Sequence, residues 1–321
     1  MKLNILSATL SAITGLTLLV TLSSCHHKDL DYDESTNVEI NVVFDWRNAP
    51  EANPSSMATY FFTGGQNPLR YIFSDITGGI IKIPYGYYDG LCLNSDNTDW
   101  ALMRNTSSID SFEIYTRDAS TLTSYGISSR ALPRDEKNSQ ERLAATPGML
   151  WSHRCDTIDI PEGTTHRTIT FYPEEVVCHY TVDVTDIVNI TSISGSSTDA
   201  TLSGMSESYL HGKKQSSDTR VTMPFVLTVN QASGTMHSEF LTFGESPVTA
   251  NPHMLTVYIM LNDGSKWYHT FDVTSQVSDA PDPHNVHIVV SGIHLPATDP
   301  TGSGLRPNVN DWQTDDITIK M

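Results

Sequence analysis

The chain has 321 residues, with 37 Asp and Glu against 19 Lys and Arg, and a formal charge of -18 at pH 7. Charged residues make up 17% and hydrophobic residues 38%, a mix that suits an extracellular β protein with many turns. So acidic a balance argues against nucleic acid, whose phosphates demand a basic face, while the length allows two domains with separate cores.

The chain opens on Lys2, followed by an uncharged apolar stretch from Leu3 to Leu22 and then Ser23-Ser24-Cys25. A basic start, an apolar middle and small residues before a cut site predict a secretory signal peptide over 1–24. Ser7, Thr9, Ser11, Thr14 and Thr17 dilute the stretch as a membrane-spanning helix. Leu22-Ser23-Ser24-Cys25 resembles a bacterial lipobox, which makes Cys25 the expected lipidation site and a covalent lipid the only cofactor. Each buried methylene contributes about 0.8 kcal/mol, so several acyl chains hold a domain to one leaflet. Residues 25–37 are polar and acidic and read as a lipid-anchored tether. Lys28 followed by acids also looks like a surface-export signal, so the expected place is the outer membrane, facing out.

From Val38 onward the hydrophobic period is two. Val38, Ile40, Val42, Phe44 and Trp46 alternate with Glu39, Asn41 and Asp45, which predicts a half-buried strand. Further strands are expected at Ala58–Phe62, Leu69–Phe73, Ile80–Ile83, Tyr87–Leu93 and Phe112–Thr116. Residues 124–150 break the pattern and read as a long exposed excursion with one short helical stretch after Pro133. Order resumes at Trp151 and Ile158–Ile160.

The second half alternates more cleanly. Cys178, Tyr180, Val182 and Val184 share one face, and Phe225, Leu227 and Val229 repeat the theme. Leu255 to Leu261 runs into Asn262-Asp263-Gly264 and out through Trp267, His269, Phe271 and Val273, a hairpin signal. Val286, Ile288 and Val290 predict a late strand, and Ile317 to Met321 a last one. Many short strands with almost no helix predict an all-β chain of two β-sandwiches, over 38–172 and 173–321.

Candidate sites are sparse. Cys92, Cys155 and Cys178 lack metal-type spacing; Cys92 and Cys178 read as buried, and a Cys155–Cys178 bridge is open. Asn94, Asp96 and Asp99 line an oxygen-rich stretch that would suit Ca²⁺, although it lacks the glycine and terminal glutamate of an EF-hand loop, and a plain turn fits it better. Trp46 and Trp267 read as core. Trp100 and Trp312, beside Asp99 and Asp311, are the candidate glycan-stacking rings. His284 and His287 lie three apart, which on a strand points them to opposite faces. His26-His27 is a free pair on the tether, and no metal site is expected. Gly212-Lys213-Lys214 is the only basic cluster and reads as a loop tip.

The order of pieces resembles the fimbrillin-like lipoproteins of Bacteroides-type bacteria, related to type V pili, in an uncharacterised subgroup. The likeness rests on the lipobox, Val42-Val43-Phe44-Asp45-Trp46, Ile83-Pro84-Tyr85-Gly86-Tyr87-Tyr88 and Thr201-Leu202-Ser203-Gly204-Met205-Ser206. It continues through Leu261-Asn262-Asp263-Gly264 to Phe271-Asp272-Val273-Thr274, and Asn285-Val286-His287-Ile288-Val289. The resemblance implies two tandem transthyretin-like sandwiches and assembly with other fimbrial subunits by strand exchange. It also implies removal of a first strand in shaft subunits, for which Arg47 is the first candidate, although an ordinary exposed turn at Arg47-Asn48-Ala49-Pro50 fits Arg47 better. Asp156-Thr157-Ile158 resembles a short O-glycosylation sequon of such bacteria.

No Gly-x-Ser-x-Gly elbow, His-Glu-x-x-His motif or phosphate-cradling loop appears, so no enzyme is expected. The expected function is structural or adhesive: a cell-surface pilus anchor, tip or accessory component. The alternative is a glycan-binding lipoprotein for polysaccharide capture. Expected partners are outer-membrane lipid, fimbrial subunits and host or glycan ligands.

Overall fold

Alternation of apolar and polar side chains lets a strand bury one face, and the computed structural model shows this rule at work over most of the chain. The structure describes residues 37–119, 132–297 and 312–314. The chain divides into Met1–Asn37 and a body, Val38–Met321. The signal peptide, Cys25 and the expected strand 317–321 lie outside the described residues.

The first half contributes β1 (Asn37–Phe44), β2 (Met57–Phe62), β3 (Leu69–Phe73), β4 (Gly78–Pro84), β5 (Gly86–Asn94), β6 (Ala101–Arg104), β7 (Glu113–Thr116), β8 (Arg142–Leu143), β9 (Trp151–Ile160), β10 (His166–Phe171) and β11 (Glu174–Glu175). The second half contributes β12 (Cys178–Thr185), β13 (Ser197–Ser206), β14 (Ser208–Leu210), β15 (Gln215–Ser216), β16 (Arg220–Asn230), β17 (Thr235–Thr242), β18 (Met254–Met260), β19 (Lys266–Asp272), β20 (Asn285–Ser291) and β21 (Trp312–Gln313). A single-turn helix, α1, spans Thr274–Ser278.

β1 sits at the centre of a three-stranded sheet, β10-β1-β4. Its Val38, Ile40, Val42 and Phe44 pack on Met57, Phe61, Cys92 and Ile158 of a five-stranded sheet, β11-β9-β5-β2-β3. β2 is buried at every position, which alternation for one buried face does not account for. The cause is a third layer. Ala58, Tyr60, Phe62, Leu91 and Leu93 on the far face meet Phe112, Ile114, Val176, Val177 and Phe243. That layer contains the four-stranded sheet β15-β14-β7-β6, in which Tyr209 pairs with Ile114. Its strands come from both sides of residue 173.

The remaining strands form one long sheet, β20-β12-β17-β16-β13-β18-β19-β21, with β8 beside β16. One core cluster draws on β12, β13, β16, β17, β18 and β20 together, so the sheet curls to enclose it. A bulge between Leu202 and Met205 helps the bend. Asp263-Gly264 joins β18 to β19 as expected, with Gly264 in the left-handed region at φ 86°.

The segment read as an exposed excursion is in its described part largely packed. Leu132, Asn138, Ala144 and Leu150 are buried, the helical piece is one turn at Glu136–Asn138, and β8 runs parallel to β16. Glu141 and Arg220 explain the docking: they pair at 2.9 Å with side chains only 8% and 9% exposed. Among the described residues no helix is long and apolar enough to cross a membrane.

Candidate functional site

A groove of about 440 Å³ opens where β11, β12, the β14–β15 hairpin, the end of β17 and the loop before β20 converge. β12 supplies its floor by alternation: Cys178 and Tyr180 point the same way, inward. Tyr180 is 2% exposed, and its ring lies 5.9 Å from that of Phe240. Its hydroxyl has no hydrogen-bond partner among the described residues, and burial pushes its pKa far up. Tyr209, from β14, is half-buried and is likewise pushed up to about 12 by burial.

The walls are charged. Glu174 faces Lys214 at 3.6 Å, and Glu175 lies 2.5 Å from His179 Nε2. Glu245 accepts from Ser278 Oγ at 2.8 Å and lies 3.2 Å from His253 Nε2. Burial first, helped by Arg220, lowers the His253 pKa. Cys178 Sγ lies 3.8 Å from His284 Nδ1. Burial pushes the thiol up to about 11, so it stays protonated near neutrality and is a weak nucleophile. The arrangement is suited to non-covalent binding: rings below, carboxylates at the sides, one lysine at the rim.

The residues singled out in the sequence lie elsewhere, apart from Cys178, His284 and Lys214. Trp100 is half-buried, its ring 6.3 Å from that of Phe243 and packed on the core shared by the middle and outer layers. Trp312 is half-buried in β21, 5.3 Å from the Tyr258 ring. The two tryptophans stand in separate clusters. Asn94 is buried; its amide donates to Asp96 and to the Met149 carbonyl, and its oxygen accepts from the Trp151 N–H. Asp96 also accepts from the Ser55 N–H, while Asp99 is exposed. Asn94 and Asp96 thus spend their oxygens on the protein's own donors. Among the described residues no three of His, Cys, Asp or Glu are grouped to hold a metal ion. Cys92, Cys155 and Cys178 are all free thiols. His287 joins Asp183, which also holds His237 on the neighbouring strand. Arg47 lies in a turn, paired with Asp45 and 4.9 Å over the Tyr172 ring. The exposed Thr157 sits at positive φ, 55°, in the bulge of β9.

The groove was not legible in the sequence because segments far apart in the chain build it. Tyr180 was legible as an inward position, but nothing in its neighbours tells that it borders an opening.

A profile of a domain of unknown function, DUF5119, matches residues 24–226, well over half of the chain. The chain belongs to the DUF5119 family. This DUF5119 chain is similar in structure to a candidate adhesin from Bacteroides ovatus, at 18% identity and a TM-score of 0.62, covering 87% of this chain and 99% of that one. It also resembles the fimbrial anchor protein Mfa2 from Porphyromonas gingivalis at 13% identity and a TM-score of 0.49, covering 79% and 90%. Candidate polysaccharide-binding proteins from Bacteroides thetaiotaomicron match at 9% identity and a TM-score of 0.45, covering 80% and 91%. No curated protein matches the DUF5119 chain. At such identities the likeness speaks for the fold.

Proposed function

We propose that this DUF5119 chain is a cell-surface lipoprotein with a structural or adhesive role, a fimbrillin-like anchor, tip or accessory component. A lipid on Cys25 holds it to the outer membrane, residues 25–37 act as a spacer, and the β body makes the contact. The observation that carries the reading is a β body matched along nearly the whole of the Bacteroides ovatus candidate adhesin, together with an open groove among its layers.

Strand geometry favours an anchor or accessory part over a polymerising shaft. β1 occupies the centre of its sheet and buries four apolar side chains. Arg47 itself is exposed in its turn, so it is the burial of β1, and not any shielding of Arg47, that favours this reading. Contact with fimbrial subunits would then run through edge strands, where main-chain groups give affinity and side chains give register.

Polysaccharide capture is the second reading. Among the aromatic residues, Tyr209 of the groove suits it better than Trp100 or Trp312, which pack on core clusters. The test is adhesion of cells that lack the gene, restored with the native chain or with Cys25→Ala. The reading expects the native chain to restore adhesion or fimbrial display and Cys25→Ala to release protein and fail. Equal adhesion in all strains contradicts it. Retardation in polysaccharide gels, lost on Tyr209→Ala, would favour the second reading.

A further inference from the structure

We propose that the groove seats the cationic side chain, arginine or lysine, of an extended peptide segment on a partner protein. The inference deepens the adhesive reading and rests on it for the partner's access to the site.

Charge is the first argument. Three carboxylates line the groove, Glu174, Glu175 and Glu245, against one lysine, Lys214. Lys214 answers Glu174 at 3.6 Å. Among the described residues Glu175 and Glu245 have no lysine or arginine partner; their neighbours are His179, His253 and the Ser278 hydroxyl. A ligand that displaced water here without bringing positive charge would strip hydration from two carboxylates for no return. That disfavours an anion and a neutral sugar alike.

Shape and surface are the second argument. Tyr180, Tyr209 and Phe243 line the groove, the half-buried Tyr209 being the most accessible of the three, and cations are drawn to the faces of such rings. Tyr180 borders the groove and its hydroxyl has no hydrogen-bond partner among the described residues, so it can accept an N–H that enters. Val176 and Val277 supply apolar wall for a methylene stem. Rings, apolar wall and flanking carboxylates together match a long side chain with a charged head.

The third argument selects a peptide over a free amine. β11 and β15 are edge strands of their sheets, and both border the groove. Each offers main-chain groups to an extended segment, which a polyamine cannot use.

The experiment is fluorescence polarisation with the full chain in detergent. The probe is a labelled five-residue peptide of alternating threonine and valine with a central arginine; its twin carries the neutral isostere citrulline. The expected result is saturable binding of the arginine peptide, weaker by about tenfold or more for the citrulline twin, a loss of roughly 1.4 kcal/mol. Glu175→Gln and Glu245→Gln should each weaken binding several-fold, Tyr180→Phe less so, and the exposed Glu162→Gln not at all. Circular dichroism confirms that each variant folds. Equal affinity for both peptides, no binding at about 1 mM, or native affinity in both glutamine variants overturns the proposal. Spermidine or a neutral oligosaccharide that occupies the groove better than the peptide also overturns it, and names the occupant as a small amine or a glycan. Cell adhesion that persists while peptide binding fails leaves the adhesive reading standing; lost adhesion with intact peptide binding does the reverse.

Discussion

His211 is a base sealed in the interior. It is 1% exposed, its Nδ1 lies 3.0 Å from Ser152 Oγ, and the rings of Phe112 and Tyr209 flank it. Burial pushes its pKa down to about 3 from the ordinary 6.5. Below 6.5 the unfolded chain binds a proton that the folded chain refuses, so stability falls as pH drops from 6.5 towards 3. The slope from this one group is at most about 1.4 kcal/mol per pH unit. His153 is lowered mainly by burial too and adds in the same direction. Denaturant midpoints at pH 7.5 and 5.0 should show the loss, and His211→Gln should flatten the slope by close to one proton; an unchanged slope contradicts this. Gly78 is a second residue with a sharp demand. Its φ is 126°, and an added Cβ would lie 1.9 Å from the Val42 carbonyl oxygen of β1. Gly78→Ala combines backbone strain with a clash against main chain, so it should cost about 2 kcal/mol or more and lower Tm by several degrees.

At the scale of elements, two polar devices hold the second half in place. Glu141 accepts from Arg220 Nε, Thr222 Oγ1 and the Gly204 N–H, which pins β8 to β16. Glu141→Leu leaves the buried Arg220 with the Val248 and Pro252 carbonyls but no carboxylate, and the expected loss is about 3–5 kcal/mol. The double variant with Arg220→Met should recover much of it; urea titration of the cycle checks both. Gln276 on α1 donates to the Val289 carbonyl and accepts from the Val289 N–H, a side-chain amide standing in for a strand beside the sheet edge β20. Gln276→Ala uncovers that edge and should bring concentration-dependent association in sedimentation velocity. The strands with clear alternation, such as β1, β12 and β20, were legible in the sequence because each buries one face. The two- and three-residue strands β8, β11, β14 and β15 were not, because they are too short to show a period and owe their form to neighbours. Residues 132–150 misled for a related reason: polar residues such as Glu141 and Asn138 look exposed until a distant partner is placed beside them.

Across the whole molecule, three sheets stack in the first half, and the third layer is completed by β14 and β15 from beyond residue 173. Phe243, Val176 and Val177 enter the same core as Tyr60 and Leu91. Shared burial of this kind couples the parts, so the described body should unfold in one calorimetric transition; two well-separated transitions would contradict the stitching. The all-β class followed from composition and period, whereas the groove depends on contacts between distant segments. The proposed function makes the chain an acylated β protein displayed outside the cell. It is tested most directly by growing cells with an alkyne fatty acid, shaving intact cells with protease, and detecting labelled chain. The account predicts label on the native chain, none on Cys25→Ala, and loss of the β body on shaving. Unlabelled native chain, or a body protected until the cells are lysed, would contradict it.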